Sequence, residues 1–141
     1  MTRFATLFLL LSAFVALAQD APAPAPAPAG ASPVVTVYYF HRVNRCAGCR
    51  HTEALTTEAL KENFAAEMEK GIVKFTSVAV DGDKDEKTLA EAFGAFGPSL
   101  FLEVKKDGKT EKVTLDKMWE MKGKGDPAFK AWVVESIKKQ L

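Results

Sequence analysis

The residues best suited to chemistry are Cys46 and Cys49, the only two cysteines in the chain, separated by Ala47-Gly48. Two thiols at this spacing can form a redox dithiol, half of a metal site or a local structural disulfide. Their neighbours are basic: Arg42, Arg45, Arg50 and His51 surround the pair, and no acid lies between Arg42 and Thr52. A thiolate is the reactive form of cysteine, and nearby cations favour it. A metal reading takes Cys46, Cys49 and His51, with His41 as a possible fourth ligand, to hold a soft ion such as Cu(I) or zinc. No second C-x-x-C or H-x-x-H completes such a site.

The elements that must position these residues can be read from the patterns on either side. Val34 to Phe40 is β-branched or aromatic at nearly every position, as expected of a central strand covered on both faces. From His51 to Lys70 the period becomes helical: Leu55, Ala59, Leu60, Phe64 and Met68 form the apolar stripe, with Glu53, Glu58, Lys61, Glu62 and Glu67 opposite. The pair therefore falls at a strand-to-helix junction, where unpaired N–H groups and the helix dipole favour a negatively charged sulfur. Ile72–Val80 predicts a second strand and Asp85–Phe96 a second helix using Leu89, Ala92, Phe93 and Phe96. Ser99–Val104 and Lys112–Leu115 predict a hairpin turning at Asp107-Gly108. A short turn over Asp116–Met121 leads to a last helix with Asp126 as cap, Pro127 at its first position and an apolar side of Phe129, Trp132, Val133, Ile137 and Leu141. Trp119 and Trp132 are expected in the core.

The expected order is β-α-β-α-β-β-α, a central mixed sheet flanked by helices. Upstream, residues 1–18 carry Arg3, then an uncharged apolar run ending in Ala16-Leu17-Ala18, the three-part pattern of a cleaved secretory signal. Residues 19–33 form an Ala/Pro-rich linker, which proline restricts to an extended spacer. The domain then occupies 34–141, long enough to build its own core without disulfide staples. Losing Arg3 from 19 basic residues leaves 18 against 18 acidic ones, which argues against nucleic-acid partners held by bulk charge. The expectation is an exported protein, periplasmic or secreted, with no stable membrane insertion after cleavage.

That element order, with C-x-x-C after the first strand and Pro98 just before the third, resembles the thioredoxin fold over Val34 to Leu141. Within that superfamily, Tyr38-Tyr39-Phe40-His41, Arg45-Cys46-Ala47-Gly48-Cys49-Arg50, Trp119-Glu120 and the closing helix resemble the nitrophenyl compound nitroreductase subunit ArsF family. The resemblance implies a thioredoxin-like α/β fold and a thiol–disulfide oxidoreductase, with Cys46 as nucleophile, Cys49 as resolving cysteine and Pro98 as a cis-proline facing the dithiol. Arg45, Arg50 and His51 are the candidates for tuning the thiolate, and His41 or His51 for moving a proton. It implies no cofactor beyond the redox-active Cys46–Cys49 disulfide, and partners that are protein thiols or disulfides or a redox partner protein met by a monomer. No glycine fingerprint for a flavin or nicotinamide phosphate is present. Three departures stand out: Arg45 takes the place of the usual Trp, no acid lies on the first strand, and the proline follows Gly97 at a spacing one residue shorter than usual. A non-catalytic partner subunit with a static disulfide is the other reading of the same fold.

Overall fold

The computed structural model describes residues 32–141. The apolar run 1–18 and nearly all of the linker 19–33 lie outside the described residues, and with them the expectation of export.

Strand β1 (Val34–His41) is the centre of the molecule. It pairs in parallel with β2 (Val73–Ala79), Val35 opposite Val73 and His41 opposite Ala79. On its other side it pairs antiparallel with β3 (Ser99–Lys106), Val34 opposite Lys105 and Phe40 opposite Ser99. β4 (Lys109–Thr114) closes the sheet, giving the order β2-β1-β3-β4. Between β3 and β4, Asp107 and Gly108 both adopt positive φ (51° and 72°), as a two-residue hairpin turn of this type requires. The hairpin arms extend past their apolar parts, through Lys105-Lys106 and Lys109–Glu111, because backbone pairing continues to the turn whatever the side chains.

Alternation along β1 separates two cores. Val35, Val37 and Tyr39 join Leu100, Leu102 and Val104 beneath α1 (Ala47–Asn63) and α5 (Asp126–Lys138). Phe40, Val78 and Phe101 form the opposite face with Ala90 and Phe93 of α3 (Lys84–Phe93). A parallel pair joined by a helix, an antiparallel hairpin and helices on both faces are the expected arrangement. The fold is thioredoxin-like.

Several boundaries differ from the sequence reading. The first helix breaks at buried Phe64 (φ −134°, ψ 26°), and a short α2 (Ala65–Glu69) follows. The second helix stops at Phe93, because Gly94 takes the left-handed conformation that ends it, and so Phe96 lies outside the helix with 82% of its surface exposed. In α4 (Met118–Gly123) Met118 turns inward and Trp119 is 49% exposed, since neighbouring residues on a helix point about 100° apart. Leu141 lies beyond the end of α5 and is exposed. Gly125, with φ 103°, caps α5 in place of Asp126, whose carboxylate is engaged by side chains instead.

Candidate functional site

The dithiol lies where β1 gives way to α1. β1 ends at His41, residues 42–45 form the connection, and Cys46 is the N-cap of the helix in extended conformation (φ −71°, ψ 162°). The connection is fastened to the neighbouring strand's exit: the Val43 N–H donates to Asp81 Oδ1 at 2.7 Å. From the cap position Cys46 Sγ accepts the Cys49 N–H at 3.1 Å, the place a capping oxygen normally occupies. The sulfur therefore sits against an amide that the first helical turn leaves free.

The two thiols are unequal. Cys46 is exposed and Cys49 is buried, with their sulfurs 2.6 Å apart. The hydrogen bond from the Cys49 thiol, followed by backbone N–H groups, lowers the pKa of Cys46. The same shared proton, and then burial, raise that of Cys49. One sulfur is thus exposed and the easier to ionise, the other sheltered and the harder. Beneath them, the phenol of fully buried Tyr39 donates to the Cys49 carbonyl at 2.9 Å, tying the first turn of α1 to the central strand. Burial, with the nearby Cys49 and Glu53, keeps this phenol protonated well above the ordinary tyrosine range. Thr52 and Thr56, both buried, satisfy their hydroxyls on the carbonyls four residues back, Gly48 and Thr52.

Arg45, Arg50, His51 and His41 each have a partner other than sulfur. Arg45 Nη1 pairs with Glu53 of α1, and its Nη2 donates to Ser77 Oγ of β2 at 2.8 Å. Arg50 Nη1 donates to the Arg45 carbonyl at 2.6 Å. His51 Nε2 lies 2.9 Å from Asp126 Oδ2, whose other oxygen receives Lys122 Nζ at 2.7 Å. His41 Nδ1 lies 2.8 Å from the Arg42 carbonyl. The ligand set Cys46, Cys49 and His51 is not brought together, and among the described residues no group of three or more His, Cys, Asp or Glu side chains could hold a metal.

Pro98 does not match the expected cis-proline: among the described residues every peptide bond is trans. The trans bond is the lower-energy form by about 0.5–1 kcal/mol for a residue before proline. Here Ser99 reaches its place opposite Phe40 with that geometry, its hydroxyl donating to the Gly97 carbonyl at 2.9 Å. Val43 follows β1 and Phe96 precedes the antiparallel β3, so two exposed apolar side chains lie at the same end of the sheet as the dithiol. Ala47 and Gly48 add little over the sulfur; a methyl built on Gly48 would stand 3.9 Å from Cys46 Sγ, an ordinary contact. Two depressions of about 360 and 280 Å³ lie at the opposite end of the sheet, by the β3–β4 hairpin.

No protein-family model matches the chain, and no curated protein does. Among solved structures it is similar to the thioredoxin of Fasciola hepatica, at 22% identity over 77% of this chain and 82% of that one, with a TM-score of 0.44. It is also similar to thioredoxin O2 of Arabidopsis thaliana in the oxidised state, at 18% identity over 57% of this chain and 63% of that one, with a TM-score of 0.39.

Tyr39, Glu53, Ser77 and Asp126 were not singled out by the sequence reading as parts of the site. Glu53 carried a signal: four residues after Cys49 on a helix, it shares that cysteine's side. Tyr39 alternates in step with Val35 and Val37, which puts it on the α1 face of the sheet. Ser77 and Asp126 carried none, since strand register and helix packing alone bring them in.

Proposed function

We propose that the protein is a thiol–disulfide oxidoreductase that works through Cys46 and Cys49. The observation that carries this reading is the asymmetry of the pair: an exposed sulfur with a lowered pKa at a helix N-cap, backed by a buried thiol that holds its proton. The Cys46 thiolate attacks one sulfur of a substrate disulfide, whose S–S bond breaks as a new one forms, and the departing thiolate takes up a proton. Cys49 then loses its proton and attacks Cys46 Sγ, which releases the second substrate thiol. Two electrons and two protons have passed to the substrate, and Cys46–Cys49 is now the disulfide. Run in reverse, the same steps oxidise a dithiol. Stabilising the reduced thiolate makes the disulfide form the better oxidant, so donation or shuttling of disulfides is the favoured direction.

Substrates in this reading are polypeptide thiols and disulfides, to which Val43 and Phe96 offer exposed apolar side chains at the dithiol's end of the sheet. The chain acts after export, in the periplasm or outside the cell, where disulfides persist. It belongs in the same proposal to the small exported ArsF-type proteins. Pro98 and its neighbours supply the rim of the site, and Cys46 and Cys49 need no other cofactor.

The test is exchange with a model disulfide by the reduced protein and with a model dithiol by the oxidised one. Cys46→Ser abolishes both. Cys49→Ser still attacks and accumulates a mixed disulfide, visible as added mass. A wild-type protein inactive in both directions, with both sulfurs locked in an inaccessible disulfide, would sink the reading.

A further inference from the structure

The arginine directly before the attacking sulfur does not point at it. Its guanidinium reaches inward instead, to Glu53 two turns along α1 and to Ser77 on β2, with only 23% of the side chain and 19% of that of Glu53 exposed. Its carbonyl is held from outside by Arg50. Ser77 stands opposite Tyr39 in the β1–β2 register, and Tyr39 grips the Cys49 carbonyl from below. Residue 45 is thus stapled to strand and helix at once, and the next residue along the chain is the N-cap itself. The fork of a guanidinium suits this task, since it reaches two acceptors in fixed directions where an ammonium offers a point charge.

The geometry points to Arg45 and Glu53 as positioning residues for Cys46: their ion pair, anchored on Ser77, holds the cap so that Sγ stays against the Cys49 N–H. Only the role given to Cys46 rests on the function proposed above. The alternative for a basic residue beside a thiol is direct charge stabilisation. The two differ in sign. If charge were what mattered, removing the Glu53 carboxylate would leave more net positive charge near the sulfur and lower its pKa, and Arg45→Lys would change little. If position matters, both substitutions loosen the cap and raise the pKa. Of the other basic groups nearby, Arg50 is engaged on the Arg45 carbonyl, His51 on Asp126 and His41 on the Arg42 carbonyl, while the Arg42 side chain makes no hydrogen bond or ion pair among the described residues and is unchanged in every variant tested. Cys49 and Tyr39 complete the titratable groups beneath the cap.

The experiment is the pH profile of Cys46 alkylation by iodoacetamide in the reduced full chain, with the site resolved by mass spectrometry, for wild type, Glu53→Gln, Arg45→Lys and Ser77→Ala. The expected result is a profile displaced to higher pH in all three, with alkylation near pH 7 slowed about threefold to tenfold in the two charge-pair variants. Circular dichroism checks that each variant is folded. Ser77→Ala changes no charge and removes one bond, so it decides the matter if the other two do not fold. A Cys46 profile unchanged or displaced to lower pH in the folded variants overturns the proposal. Because the readout is alkylation, it stands apart from exchange: displaced profiles in a protein without exchange activity would count against the proposed function alone.

Discussion

At the scale of single residues, the site uses one hydrogen bond to make two cysteines different. The proton shared between the sulfurs lowers the pKa of Cys46 and raises that of Cys49. The C-x-x-C and its basic surroundings were legible in the sequence, because both are local. What the basic residues do was not, because Glu53 is eight positions from Arg45 and Ser77 thirty-two, and only folding makes them neighbours. Glu53 also gives a pH dependence with a definite sign. Burial is the largest influence on its carboxyl and pushes its pKa up, but the hydrogen bonds from Arg45 and Ser77 and the charges of Arg45 and His41 together bring it below the usual range. A carboxylate whose pKa is lower in the folded state contributes stability above its unfolded value of about 4.3, and this is lost as pH falls through the folded value. Glu53→Gln is therefore expected to unfold at lower urea than wild type at pH 7, with the difference closing toward pH 3. A difference that persists unchanged at pH 3 would exclude the charge as its source.

At the scale of elements, periodicity identified the four strands and the three longer helices, because each has a one-sided or two-sided apolar pattern set by its neighbours. The ends were less visible. Nothing in the run from His51 to Lys70 marks Phe64 as a break, since its place in the core bends the backbone there. Asp126-Pro127 has the composition of a helix start, yet packing against α1 draws the Asp126 carboxylate to His51 and leaves the cap to Gly125. The opposite case is α3, where Asp83 and Glu86 make a reciprocal capping box. Asp83 Oδ1 receives the Asp85 and Glu86 N–H groups at 2.9 Å each, and Glu86 Oε1 also receives the Ala79 N–H at 3.0 Å, joining the cap to the end of β2. Gly82 leaves room for that carboxylate: a Cβ there would fall 1.9 Å from Glu86 Oε2. Asp83→Ala is expected to cost about 1 kcal/mol, read from the shift in urea midpoint at constant slope. A loss below a few tenths would mean that α3 is held by packing alone.

At the scale of the whole molecule, two cores of unequal size clamp one sheet, and the strand that carries the dithiol lies between them. Lys130 of α5 reaches Glu62 of α1 at 2.8 Å, while His51 and Asp126 join the beginnings of the same helices, so α1 is braced at two levels. The site itself sits on the rim, built from the four-residue connection and the first turn of α1. Because β1 is hydrogen-bonded along both edges, its amides can meet solvent only when the sheet opens as a whole. In deuterated water, the amides of Val35 to Phe40 should be among the last to exchange, at rates set by global unfolding. Passing from dithiol to disulfide should leave those rates in place and alter exchange over residues 42 to 50. Under the proposed exchange chemistry the sheet would then be a fixed bench for the two sulfurs, and each turnover would disturb only the few residues around the dithiol.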